Sequence, residues 1–271
     1  MDFRTVVDIP KAAFQIEPCE PLLFVGSCFA DSIGSRFRDE GFPVTVNPFG
    51  TMYNPVSVLH TVERCDTAAA RVVFLTLGTN HVYRLKETGE IVDNCEKRPQ
   101  SLFQEEMLSV AQCADSLQQT LDVLRRRRPD VQVVLTVSPI RYRKYGYHGS
   151  QLSKATLLLA VHQLMSSPSP QPSALTYFPA YEIVLDELRD YRFYAADMLH
   201  PSSQAVEYIW ERLSDAFFSP STRTFLDEWR PLKQALGHKP FRPDSPEYQT
   251  LMDKTLLKVE ALRKKYPTFA L

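Results

Sequence analysis

Short apolar runs alternate along this chain with longer stretches whose apolar residues recur every three to four positions, and few architectures accept that order. A run of four to seven apolar residues suits a strand buried on both faces, whereas the longer period marks a helix lying against a sheet. Strands are expected at Leu22 to Gly26, Val44 to Asn47, Val72 to Leu77, Val131 to Val137 and Leu175 to Phe178. Between them, Ala30, Ile33, Gly34 and Phe37 share a helical face, as do Leu117, Leu121 and Leu124, and Leu157, Leu158, Val161 and Leu164. Strand and helix in alternation predict an α/β protein with a central parallel sheet of five strands covered by helices.

Two breaks punctuate the pattern. Pro168 to Pro172 form a Pro/Ser-rich stretch, and Ser219-Pro220 closes a helix whose stripe is Val206, Ile209, Trp210, Leu213 and Phe217. Beyond it the chain reads as helical to Leu271. The expected organisation is a catalytic α/β domain over residues 1–218 and a helical extension over 219–271 packed on it. A chain of 271 residues buries a large core without disulfides or metals.

Charge and composition exclude several functions. A net charge of −1 and a pI near 6.6 give no electrostatic footprint for nucleic acid, and Arg125 to Arg128 read as the basic end of a helix. No run approaches the roughly 20 apolar residues of a bilayer span, and the first residues carry acids and a proline where a signal peptide needs an apolar stretch. Membrane insertion and export are not expected, so a cytoplasmic location is. Cys19, Cys28, Cys65, Cys95 and Cys113 are odd in number and widely spaced, as free thiols in a reducing compartment would be. No clustered Cys/His set, P-loop or Gly-x-Gly-x-x-Gly implies a metal or cofactor.

Chemistry concentrates in four segments, three at or just after strand ends and one in a loop ahead of a helix. In FVGSCFADSIG an apolar run ends at Gly26 and a helix begins at once, which aims side chains at the carboxyl edge of the sheet, where α/β sites form. A nucleophile there meets free N–H groups and the positive end of a helix. Cys28 is intrinsically the stronger nucleophile, while Ser27 needs a base; alternatively Ser27 caps the helix and Cys28 is a small hydrophobe. Asp197-Met198-Leu199-His200 sets an acid three residues before an imidazole, a spacing that orients a general base and fixes its tautomer. Leu77-Gly78-Thr79-Asn80 and Asn47-Pro48-Phe49-Gly50-Thr51 offer an Asn side chain and a Gly N–H as oxyanion donors.

That order, Gly-x-nucleophile, Gly, Gly-x-Asn, Asp-x-x-His, resembles the SGNH (GDSL-like) hydrolases, and the string GSCFA is similar to the signature of the GSCFA family within them. NPFGTMYNP, FLTLGTNHVYR, NCEKRP, LTVSPIRY, the run from Tyr177 to Pro201 and HKPF extend the likeness over most of the chain. The resemblance implies a flavodoxin-like three-layer α/β/α sandwich, with His200 as base, Asp197 as its orienting acid, and Gly50 and Asn80 as oxyanion donors. Its register puts Cys28 in the nucleophile slot and Ser27 where the superfamily has Asp; Asn94 of the NC string is the alternative to Asn80.

Arg141 and Arg192 fall in loops beside these segments and suit an anionic substrate group, or an ion pair with a neighbouring acid. His81 adjoins Asn80 and is a further candidate for substrate contact. The expected function is hydrolysis or O-acyl transfer of an acyl ester, of a small molecule or a glycan. The competing expectation is a non-catalytic module binding a glycan or acyl ligand, for which the missing Gly-Asp-Ser is the hint.

Overall fold

A computed structural model of the protein describes residues 4–167 and 174–271; the Pro168 to Pro172 break lies outside them. The strands β1 (Leu22–Gly26), β2 (Val44–Val46), β3 (Val72–Leu77), β7 (Gln132–Val137) and β8 (Leu175–Tyr177) form one sheet in the order β2-β1-β3-β7-β8, every pair parallel. These are the five strands expected from sequence, each within a residue of its expected ends. The strand order reverses between β1 and β3, and a parallel α/β sheet opens its binding crevice at such a reversal, outside the carboxyl ends of the strands.

Side chains in a strand alternate between faces, and here both faces are dry. Leu22, Phe24, Val72 and Phe74 enter one core with α1 (Cys28–Asp39) and a later helix, α6 (Ser203–Phe217). Leu23, Val25, Val73 and Leu75 enter the other, with α2 (Pro55–Arg64), α3 (Val110–Arg127) and α4 (Gly146–Ser166). The result is the three-layer α/β/α sandwich. Its first core is aromatic: Phe24 stacks on Phe74 at 4.4 Å, and Phe37 meets Trp210 edge-on at 4.7 Å.

The C-terminal helices α7 (Pro220–Gly237) and α8 (Pro246–Lys265) join that same core. Phe225, Trp229, Val259 and Phe269 are all buried in it. Between β8 and α6, a short helix α5 (Ala180–Glu182) runs into a π-helical turn, Ile183–Leu188.

Sequence reading did not anticipate a second sheet. β4 (His81–Leu85), β5 (Ile91–Val92) and β6 (Phe103–Met107) form an antiparallel sheet in the order β5-β4-β6. Its strands carry Arg84, Glu105 and Glu106 and bury few side chains, so they show neither a continuous apolar run nor a clean alternation. Among the described residues no helix is long and apolar enough to cross a membrane.

Candidate active site

The turn between β1 and α1 is built around a glycine. Gly26 has φ +143°, and a Cβ there would lie 2.1 Å from the Thr76 carbonyl oxygen, so only glycine lets β1 close on β3 at this level. The Gly26 N–H donates to Asn47 Oδ1 at 2.8 Å and its carbonyl accepts from Met52 N–H at 2.8 Å, which ties the segment after β2 to the same edge. Ser27 then caps the helix: its Oγ accepts from Phe29 N–H at 3.3 Å and lies 3.1 Å from Thr76 Oγ1. Ser27 is wholly buried with its hydroxyl turned onto Phe29 N–H and Thr76, so of the two candidate nucleophiles it is the cap.

Cys28 follows as the first helical residue, part-exposed and a free thiol. Its Sγ lies 3.6 Å from Tyr53 Oη. At this position its own N–H has no intrahelical partner, and the positive end of α1 favours negative charge.

The tyrosines beside it were not singled out from sequence. Tyr53 ends the segment after β2, and its carbonyl accepts from Gly78 N–H at 2.9 Å and Thr79 N–H at 2.8 Å, locking it to the end of β3. Its ring meets Tyr142, from the loop after β7, edge-on at 5.7 Å. Lys154 of α4 lies beneath, wholly buried, donating to the Gly78 and Ser138 carbonyls at 2.7 Å each, with its Nζ 5.1 Å from the centre of the Tyr142 ring. Burial without a carboxylate partner pulls the Lys154 ammonium down to about 7. Both tyrosines stand in strings quoted for the resemblance, NPFGTMYNP and LTVSPIRY. Lys154 had a signal of its own, as a lysine in phase with the apolar stripe Leu157, Val161, Leu164.

The Asp197 and His200 side chains meet as the spacing predicts. His200 Nδ1 is 2.6 Å from Asp197 Oδ2, while Asp197 Oδ1 accepts from the N–H groups of Leu199 and His200 at 2.8 and 3.0 Å. Those two backbone bonds, and then the imidazole, hold the Asp197 carboxyl down at about 2. Met198 takes a left-handed φ of +60°, and Ala195 N–H donates to the His200 carbonyl at 2.7 Å, closing the turn. The pairing leaves His200 Nε2 free for proton transfer.

Arg141 couples this turn to the sheet. Its N–H donates to the Leu199 carbonyl and its Nη1 to the Met198 carbonyl, each at 3.1 Å. Cys28, Tyr53, Tyr142, Arg141 and the Asp197–His200 turn thus form a connected row along the carboxyl edge of β1, β3 and β7. Among the described residues Arg141 has no carboxylate partner; its guanidinium lies over Tyr147 at 4.1 Å and Tyr194 at 5.3 Å. With Gln151, Arg189, Asp190 and Tyr191 it lines a cavity of about 230 Å³ next to the turn.

Several residues expected at the site are occupied elsewhere. The Gly50 N–H is spent within its own turn, on the Asn47 carbonyl at 2.8 Å. Asn80 is buried and its Nδ2 donates to the Leu108 carbonyl at 2.7 Å, a latch between the end of β3 and the segment before α3; its free atom, Oδ1, is an acceptor. Gly50 therefore has no N–H left for an oxyanion, while Asn80 keeps one of its two Nδ2 hydrogens. Asn94 is exposed, and its Oδ1 accepts from Glu96 N–H in a turn after β5. His81 opens β4, paired with Glu105 at 3.1 Å and stacked on Tyr145 at 3.6 Å; burial, against the pull of Glu105, lowers its pKa. Arg192 is exposed beside Asp190, 3.8 Å away, which matches the ion pair and not the substrate contact.

A parallel β2-β1-β3-β7-β8 sheet with a Gly-Ser-Cys turn after its first strand in sequence and an Asp-x-x-His turn ahead of α6 is an SGNH-like hydrolase fold. The chain belongs to the GSCFA family, which it matches over residues 21–70 and 65–213, and residues 229–271 match the C-terminal domain of GSCFA domain proteins. Among solved structures, a Parabacteroides merdae protein assigned as a GDSL-like lipase is 13% identical with TM-score 0.50, covering 76% of this chain and 98% of its own. A Bacteroides fragilis protein assigned as an acylhydrolase is 12% identical with TM-score 0.48, over 78% and 92%. A protein from Streptococcus pneumonia assigned as a platelet activating factor is 17% identical with TM-score 0.48, over 74% and 84%. No curated protein matches the chain.

Proposed function

We propose that this protein hydrolyses an acyl ester, or transfers its acyl group to a hydroxyl, with Cys28 as nucleophile, His200 as base and Asp197 as the acid that orients it. The observation that carries the reading is the preformed Asp197–His200 pair, whose 2.6 Å bond to Nδ1 leaves Nε2 as the proton acceptor. In the first half-reaction Cys28 Sγ bonds to the ester carbonyl carbon while its proton passes to His200 Nε2. Collapse of the tetrahedral adduct breaks the ester C–O bond, the departing alcohol takes the proton from His200, and a thioester remains. Water, or a second hydroxyl, then attacks the thioester carbonyl as His200 accepts its proton; the acid or new ester leaves, and the proton returns to Cys28.

Arg141, with no carboxylate partner among the described residues and bound to the histidine turn, suits an anionic group on the substrate. Acyl esters of carbohydrates are candidate substrates, and the free cysteines suit a cytoplasmic location. The alternative, a non-catalytic binding module, draws on the Gly50 N–H being spent in its own turn.

Steady-state hydrolysis of p-nitrophenyl acetate separates the two, with circular dichroism to confirm folding. Removing the base is expected to lower kcat/KM by about 10²–10⁴-fold in His200→Ala. Cys28→Ala is expected to be as inactive, with Ser27→Ala retaining turnover. Wild-type protein at the uncatalysed rate, indistinguishable from folded His200→Ala, would favour the binding module.

A further inference from the structure

The Gly50 N–H expected to hold an oxyanion is spent in its own turn and Asn80 Nδ2 is tied to the Leu108 carbonyl, while a pair of phenols stands unassigned beside the candidate nucleophile. We propose that the Tyr53 and Tyr142 hydroxyls, with the Cys28 N–H, form the oxyanion hole of this site. The inference rests on the acyl-transfer reading above and adds catalytic residues to it.

Four observations converge. Tyr53 Oη lies 3.6 Å from Cys28 Sγ, so a group bonded to that sulfur comes within reach of the phenol. Tyr142 Oη is buried with no hydrogen-bond partner among the described residues, although a buried hydroxyl left unmatched is costly and such groups mark functional positions. Gly78, the glycine of Gly-x-Asn, explains how that hydroxyl fits: a Cβ there would lie 2.3 Å from Tyr142 Oη, so the absent side chain is the space the phenol occupies. The Tyr53 carbonyl, held by two N–H groups from the end of β3, and the edge-on ring contact fix both phenols before a substrate arrives.

Preorganised donors of this kind stabilise charge that develops only in the transition state. As Sγ bonds to the carbonyl carbon, the π pair moves onto oxygen, and the phenol O–H groups donate to it without being deprotonated. Burial raises the pKa of both phenols, helped at Tyr53 by its hydrogen bond with Cys28 and at Tyr142 by Tyr53 and Cys28, so each keeps its proton at neutral pH.

Tyr142→Phe is the cleaner test, because it deletes one oxygen that has no hydrogen-bond partner among the described residues. Its kcat for p-nitrophenyl acetate is expected to fall about 10²–10³-fold with KM within about threefold. Its urea midpoint is expected to equal or exceed that of wild type, since an unmatched buried hydroxyl has gone. A merely structural tyrosine would instead lose stability and leave kcat close to wild type.

Tyr53→Phe is expected to lose kcat likewise. Binding of an aliphatic trifluoromethyl ketone, read by ¹⁹F NMR as a hemithioketal on Cys28, gives a second readout that needs no turnover: wild type is expected to form the adduct and Tyr142→Phe to form it at least about tenfold more weakly. If His200→Ala abolishes hydrolysis while both phenylalanine variants keep kcat and adduct affinity within about threefold, the oxyanion assignment falls and the hydrolase reading stands. If wild type neither hydrolyses the ester nor forms the adduct, both fall together.

Discussion

Two residues, three apart in sequence, carry most of the functional reading. Asp197 and His200 need no long-range contact to find each other, because Asp197 Oδ1 caps the N–H groups of Leu199 and His200 and so draws the imidazole to its other oxygen. This pairing was legible in the spacing. Lys154 is the opposite case, set by packing across the molecule: its two acceptors are the Gly78 and Ser138 carbonyls at the ends of different strands. Its folded pKa of about 7 lies below the ordinary 10.5, so above pH 7 the unfolded chain binds a proton that the folded chain does not. Stability therefore rises with pH from about 7 to 9 through this residue. Above pH 9 Cys19 and Cys113, both pushed up to about 12, act in the opposite sense, because the unfolded thiols ionise first. Urea midpoints from pH 7 to 9 are expected to climb more steeply in wild type than in Lys154→Met; parallel profiles would remove the buried lysine as the cause.

At the scale of elements, the start of α1 decides which of Ser27 and Cys28 faces the substrate. The preferred N-cap types include serine, and a cap points its oxygen back at the N–H groups of its own helix. Once Ser27 takes that position, its hydroxyl faces Phe29 and Thr76, and Cys28 falls one residue further on, at the open edge. Ser27→Ala is accordingly expected to cost about 1 kcal/mol of stability, read from urea midpoints, without abolishing turnover. Loss of turnover in a folded, near-wild-type-stable Ser27→Ala would reverse the assignment. The same scale explains what sequence reading passed over. The central strands β1, β3 and β7 are buried on both faces and stand out as runs, whereas β4, β5 and β6 are part-exposed and carry ion pairs such as Arg84–Glu106. With one buried side chain in β4, Val82, and one in β6, Phe103, little hydrophobic period is left to read.

For the whole molecule, the C-terminal helices complete a core that the sandwich alone leaves open. Phe225 packs edge-on against Phe42 at 6.0 Å, and Trp229 meets Phe269 at 4.9 Å. Phe269 also fills the space beside Gly41, where a Cβ would lie 2.0 Å from its ring. Trp229→Ala is expected to cost about 3–5 kcal/mol, as a large ring lost from a buried cluster does, and a urea titration checks it. A cost under 1 kcal/mol would mean that the helical extension contributes little to the core.

The sequence by itself determined the alternation that makes this a parallel α/β sandwich, the Gly-Ser-Cys turn and the Asp-x-x-His pair, because each depends on local period, capping or short-range hydrogen bonding. The tertiary structure decided which donors remain free. Gly50 and Asn80 carry the right chemistry in the right order, yet the Gly50 N–H is consumed by the Asn47 carbonyl and Asn80 Nδ2 is tied to that of Leu108. Tyr53 lies far along the chain from Tyr142 and Lys154 and meets them only where β1, β3 and β7 end side by side. A hydrogen-bond donor's availability depends on every acceptor that folding brings to it, and no single stretch of sequence contains that information.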